Sequence, residues 1–366
     1  MRTPFSVSVI LLIMFAGLIL IASFSGVQSS EIPDLTRSKG QQAYKNRNLP
    51  LFQKKEEGGN FHLTYGWKGF KEVSYLMTFT VSKEDLFISD KEIGYVQEDL
   101  DHYIEEGLKP LREEMISFLL AFTHDLIKKS PYGQYFILNS IDSMSFNIKI
   151  SAPREIYDKV KEEFSRIINK IADEQNIYFK KLRMEKSRRI KSFIESKGLR
   201  YYGEKIGVNY GLCVKNNRHR VRHVVEKLRD LNPKKTLAGF FSVLLSFVQR
   251  IKYGIPPFKE GDRLTLGFWS PLKIFVNNLG DCDSKSVAFA ALWTNFRRYP
   301  LLLIKIPNHM FIGLAVPISM ESGIVINGLR YTLCEVSGPD IWPPGLISSY
   351  SRMYIDSGRF SYELIR

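Results

Sequence analysis

The stretch Asn277-Asn278-Leu279-Gly280-Asp281-Cys282-Asp283-Ser284-Lys285-Ser286 runs straight into Val287-Ala288-Phe289-Ala290-Ala291-Leu292-Trp293, and its reading decides that of the whole chain. A polar turn feeding an unbroken apolar run predicts a buried helix with Cys282 in its first turn. There the unpaired backbone N–H groups and the positive end of the helix dipole favour an anion, so the thiol is expected to ionise below its free pKa of about 8.5. Gly280, lacking a side chain, is expected to let a substrate backbone approach closely.

Working downstream, Leu301-Leu302-Leu303-Ile304-Lys305-Ile306 predicts a strand that ends at Pro307-Asn308-His309, with a second strand over Met310 to Val316. A hairpin-like return would carry His309 over the start of the Cys282 helix. Beyond Gly328, Tyr331-Thr332-Leu333-Cys334-Glu335-Val336 alternates as a third strand, with Glu335 on the face opposite Cys334. Singly, each residue has a plain structural reading. Together, thiol, imidazole and carboxylate follow the chain order that a nucleophile, its general base and an orienting acid require.

At these residues the chain resembles the transglutaminase-like cysteine peptidases of the papain-like superfamily. The resemblance rests on Gly280-Asp281-Cys282-Asp283 with Lys285-Ser286, on His309-Met310-Phe311-Ile312-Gly313, and on Tyr331-Thr332-Leu333-Cys334-Glu335. Upstream, Phe247-Val248-Gln249-Arg250-Ile251-Lys252-Tyr253 and Ser270-Pro271 are similar to that family's leading helix and link. The resemblance covers about residues 235–345. It implies a central helix packed on an antiparallel sheet, with Cys282 as nucleophile, His309 as base and then acid, and Glu335 as the triad acid. Many members have Asp at the third position, which leaves Asp340 as the alternative. It further implies an oxyanion hole built on the Cys282 backbone N–H, with Gln249 or Tyr253 as second donor.

The chemistry that follows is attack on an amide carbonyl and a thioester intermediate. Release to water makes a peptidase or amidase; release to an amine makes a cross-linking transglutaminase, which an apolar tunnel past Trp269 or Trp342 would favour. A non-catalytic envelope binding module of the same fold is the reading from another class. No cofactor is expected, and the partner is a protein or peptide substrate. His219 and His223 lie four apart without a third ligand, so no metal site is expected.

Further upstream, Leu237 to Val248 is apolar all round and predicts a buried helix, too short to span a bilayer. Ser151-Ala152-Pro153-Arg154-Glu155 predicts the start of a long amphipathic helix ending near Gly198, lying on its own domain rather than forming a stalk. Phe61–Tyr65 and Val73–Val81 predict a β-hairpin, and Ser143–Ile150 a returning strand. Helix-spaced apolar residues occupy 91–129, with Pro110 expected to break or kink the run.

At the N-terminus, Met1-Arg2 precedes an apolar run from Phe5 to Phe24. This predicts a signal peptide or membrane anchor over 1–30 and places the bulk of the chain outside the cytoplasm, periplasmic or extracellular, or secreted if the segment is cleaved. Residues 31–60 read as a polar tether. The fold class expected is α+β: an N-terminal α+β domain with a long helix over 61–200, then the transglutaminase-like domain over 201–366.

The 366 residues carry 52 Lys plus Arg against 38 Asp plus Glu, a net charge of +14. From Lys180 to Lys235 there are 18 Lys or Arg against 5 Asp or Glu, nearly the whole excess. Phe193, Tyr201 and Tyr202 are thin support for interleaved aromatics or a reading helix, which argues against nucleic acid and for an anionic membrane surface or envelope polymer as partner of the 180–235 stretch. Cys213, Cys282 and Cys334 are too few for a disulfide framework and leave at least one thiol unpaired.

Overall fold

Strand pairing begins earlier than the tether reading allows. The computed structural model describes residues 51–142, 145–232, 236–296, 299–316, 323–338 and 340–365, and the N-terminal apolar run lies outside them, as does the tether up to residue 50. From Leu51 the chain is already extended: Leu51–Glu57, Asn60–Lys68 and Ser74–Ser82 form a three-stranded antiparallel sheet. The last two of these strands are the expected hairpin; the first replaces the end of the tether. Among the described residues no helix is long and apolar enough to cross a membrane.

Two compact units result, one made of 101–190 and the other of 51–100 with 191–365. This division replaces the boundary drawn near 200, because 61–100 belong to the unit that also holds Cys282. The reason is aromatic packing. Tyr65 lies 5.2 Å from Phe247 and Trp67 5.3 Å, while Phe79 meets Phe275 edge-on at 6.1 Å. Each such side chain, once buried, is worth about 1.5–3 kcal/mol.

Polar groups close the same seam. Tyr65 Oη donates to the Phe275 carbonyl and Trp67 Nε1 donates to Ser246 Oγ at 3.1 Å. Arg220, its side chain only 8% exposed, grips Glu92 with two hydrogen bonds of 2.8 and 2.9 Å. Asp90 and Glu260 share Arg263 and Lys273 in a half-buried network. Such a network is more than the sum of exposed pairs, since few of its members are free to leave.

The unit of 101–190 has a core of its own, in which Met115 and Leu119 meet Phe136, Phe146, Ile148, Val160, Phe164, Ile167 and Ile171. Its strands are Phe136–Asp142 and Ser145–Ile150. The long helix runs Tyr157–Ser196 and buries Val160, Phe164, Ile167, Ile171 and Tyr178, a three-to-four spacing that lays one stripe on this core. It stops where Gly198 takes φ 65°, with the Glu92 carbonyl 2.4 Å from where a Cβ would stand. Pro110 does not break its helix, which is continuous over Gln97–Lys129. Pro110 and Glu106, whose carbonyl loses its partner, are both exposed, so water satisfies the freed oxygen.

In the other unit a five-stranded antiparallel sheet has the order Gly323–Ile326, Leu329–Cys334, His309–Leu314, Leu301–Ile306, Ser361–Ile365. The helix Cys282–Trp293, with every residue from Ser284 onward buried, packs on the two strands that begin at His309 and Leu301. Helix Leu237–Arg250, buried from Phe240 to Gln249 save Ser242, covers it from another side. The class is thus α+β with an antiparallel sheet.

The described part of the basic stretch divides between the two units, 180–190 in one and 191–232 in the other. Some of its charge is structural: Arg220 is bound to Glu92, Arg200 to Glu363 at 2.6 Å, and Arg188 and Arg189 both to Glu185.

Candidate active site

The Cys282 helix opens with Asp281 in extended conformation, its carboxylate accepting the Ser284 N–H at 3.2 Å. Just before it, Leu279–Gly280 pairs in parallel with Lys252–Tyr253, which sets Tyr253 beside Gly280. Gly280 is buried. A Cβ there would meet Ile274 at 3.1 Å and Lys285 at 3.2 Å, so the glycine admits neighbouring side chains and not a substrate backbone.

Cys282 itself is partly exposed, whereas Cys213 and Cys334 are buried; all three are free thiols. The backbone N–H groups of Met310, the residue after His309, and of Asp283 act to lower the Cys282 thiol. These donors do not win. Burial, followed by the charges of Asp283 and Asp281, pushes the Cys282 thiol up to about 12. The helix-terminus argument for easy ionisation is therefore overturned by two carboxylates and low polarity, and the resting sulfur is a neutral S–H. Asp281 is itself held well above the carboxylate range by burial and by Asp283.

His309 begins its strand after Asn308, which turns the chain at φ 56°. Its Nε2 lies 2.7 Å from Glu335 Oε2. An ionised carboxylate only accepts, so it is Nε2 that donates in this bond. The ring stacks on Phe311 with centroids 5.9 Å apart, which fixes its plane.

Glu335 is 4% exposed, one residue past its strand. Its second oxygen, Oε1, accepts Ser351 Oγ at 2.6 Å and the Ser348 N–H at 3.3 Å. Burial alone would raise this carboxyl. The bonds from His309, Ser351 and Ser348 outweigh it and hold the group below its usual range, hence ionised at neutral pH. Asp340 is exposed, and it is Glu335 that holds His309. Ser351 has no counterpart in the sequence reading; its one signal is Ser348, which caps the short helix Ser349–Asp356.

Gln249 is not placed to be an oxyanion donor. Its Nε2 gives both protons to backbone carbonyls, those of Glu335 at 2.8 Å and Trp342 at 2.9 Å. It is a tie between the Leu237–Arg250 helix and the loop that follows Glu335. Tyr253 stays a candidate: it is 46% exposed at the Gly280 shoulder, and burial together with Cys282, Asp281 and Asp283 raises its hydroxyl, keeping the O–H a donor. Trp269 has its indole N–H on Glu260 Oε1 at 2.6 Å and its backbone N–H on Ser284 Oγ, so it braces the helix start.

Lys285, three residues past the thiol, is fully buried. Its ammonium donates to the carbonyls of Ile251 at 2.7 Å, Gln249 at 3.2 Å and Ser337 at 2.5 Å. It thereby ties the helix to the segment that leads to Tyr253 and to the segment that follows Glu335. His219 and His223 do not share a helix face: the helix starts at Arg222, His219 is exposed, and His223 packs near the Phe79 ring. Among the described residues no group of three metal-binding side chains occurs.

The thiol's high pKa makes a direct prediction. At the alkaline pH where the thiol titrates, Asp281→Asn and Asp283→Asn each remove a negative charge while keeping a side chain able to cap the helix. The pH midpoint for alkylation of Cys282 by iodoacetamide, followed by peptide mass, falls by about one unit in each. A midpoint that stays or rises overturns the electrostatic account.

A scan against protein-family models, a search of curated proteins and a search of solved structures each give no match to this chain.

Proposed function

We propose that this chain is an acyl-transfer enzyme of the transglutaminase-like kind, cleaving amide bonds through a thioester on Cys282, with water as acceptor and so a peptidase or amidase. The observation that carries the reading is the 2.7 Å bond from His309 Nε2 to a buried, ionised Glu335, on a strand that packs against the Cys282 helix. That arrangement orients the imidazole through Nε2 and leaves Nδ1 as the nitrogen for proton transfer.

The steps follow from the protonation states. As sulfur attacks the amide carbonyl, His309 Nδ1 takes the thiol proton, and Glu335 stabilises the imidazolium that forms. The Cys282 N–H and the Tyr253 hydroxyl face the developing oxyanion. His309 then gives its proton to the leaving amine as the C–N bond breaks. Water, deprotonated by His309, attacks the thioester and frees the acid and the thiol. The proposed setting is the far side of a membrane, on the strength of the apolar run from Phe5 to Phe24.

The test is to incubate the protein with an envelope extract, quench in acid and weigh the Cys282 peptide. A mass increment that hydroxylamine removes, absent in Cys282→Ser, is expected. No increment, together with iodoacetamide labelling of Cys282 at equal rates in the native protein and in His309→Ala, overturns the reading and leaves the non-catalytic module.

A further inference from the structure

Lys305 interrupts an otherwise apolar strand, Leu301–Ile306, at the position paired with Met310. Its ammonium rests on two tyrosine faces, 4.5 Å from the Tyr202 centroid and 4.4 Å from that of Tyr210. Aromatic faces hold a cation in place but take none of its hydrogen bonds. The nearby carboxylates are already committed. Asp283 accepts Tyr210 Oη at 2.7 Å and the Ser284 N–H at 2.8 Å, and Glu363 accepts Arg200 at 2.6 Å and the Gly211 N–H at 2.9 Å. Among the described residues Lys305 has no ion pair and no hydrogen-bond acceptor.

A half-buried cation held in this way is costly without an anion. Burial draws its pKa down, with Asp283, Glu363 and Cys282 opposing and Arg200 adding to the fall. We propose that Lys305, held between Tyr202 and Tyr210, is a carboxylate-binding subsite beside Cys282, so that the acyl donor is a peptide with an acidic group next to the amide attacked. The inference rests on the acyl-transfer reading and names its substrate class. A monoanion fits better than a dianion such as phosphate, since Asp283 and Glu363 repel the second charge.

The test uses two alkylating agents of nearly one shape, iodoacetate and iodoacetamide. With each, the Cys282 sulfur bonds to the methylene carbon, iodide leaves, and the thiol proton passes to His309. The ratio of the two rates cancels any change in thiol reactivity and reads the anion's attraction alone. Lys305→Met is expected to lower the iodoacetate-to-iodoacetamide ratio by about tenfold, Lys305→Arg to keep most of it, and added salt to shrink it in the native protein.

Chloroacetyl-alanine, chloroacetyl-aspartic acid α-amide and neutral chloroacetyl-alaninamide then tell an α-carboxylate from a side-chain one. Whichever reacts faster than the neutral reagent in a Lys305-dependent way names the group. A ratio unchanged in Lys305→Met, or equal rates for all three chloroacetyl reagents, overturns the subsite. Indifference of the iodoacetamide rate to His309→Ala strikes instead at the acyl-transfer reading.

Discussion

Glu335→Gln lowers turnover of the amide identified through the Cys282 adduct by about 10³- to 10⁴-fold, while the protein stays folded. A glutamine keeps the shape but can offer its NH₂ to His309 Nε2, now 2.7 Å from a carboxylate oxygen. The imidazole then moves its proton to Nδ1, and a thiol held at about 12 faces a donor where it needs a base. His309→Ala gives a loss of similar size, and the double variant is little worse than either, because the two residues act as one unit. Additive losses overturn the assignment. The pH sign is fixed as well. Glu335 is depressed in the folded state, so its stabilising contribution is present above its unfolded pKa near 4.3 and is lost as pH falls through the folded value.

Lys285→Met destabilises the protein by about 3 kcal/mol, read as a lower urea midpoint at unchanged slope. The methionine fills the stem but leaves three buried carbonyls, those of Gln249, Ile251 and Ser337, without a donor. Burial lowers the Lys285 pKa to about 7, with Asp281 and Cys282 opposing. Between that value and the unfolded one near 10.4, the unfolded chain holds a proton that the folded chain releases. Native stability should climb with pH across this window, and Lys285→Met should lack the climb. A loss under about 1 kcal/mol, or the same slope in both proteins, overturns the account.

What the sequence discloses follows from how local the cause is. Cys282 at a helix start and His309 at a strand start are set by residues next to them, and both stand where the patterning put them. Glu335 was legible by alternation, but Ser351, which holds its other oxygen, lies on a helix 16 residues on and leaves no periodic trace. The thiol's protonation was misread because Asp281 and Asp283 look like helix-start residues in the sequence and become unfavourable charges only once the sulfur is buried. The resemblance implies Gln249 as an oxyanion donor, whereas its two carbonyl partners, Glu335 and Trp342, lie more than 80 residues away and leave no sign in its own stretch. The hairpin over 61–81 reads as part of another domain for the same reason: the aromatic seam that binds it to Phe247 and Phe275 cannot be seen from either side alone.

The Cys282-bearing unit leaves off at residue 100 and resumes at 191, so 101–190 stand in it as an insertion. Were those 90 residues slack, drawing their two ends together would cost about 4 kcal/mol of chain entropy. A segment with its own core of Phe136, Phe146, Phe164 and Ile171 is not slack, and its folded form restricts where its two ends can lie. Because the cost grows only with the logarithm of length, halving the insertion would change it by about 0.6 kcal/mol. The length of the inserted unit is therefore a weak lever on the stability of the unit that holds thiol, imidazole and carboxylate.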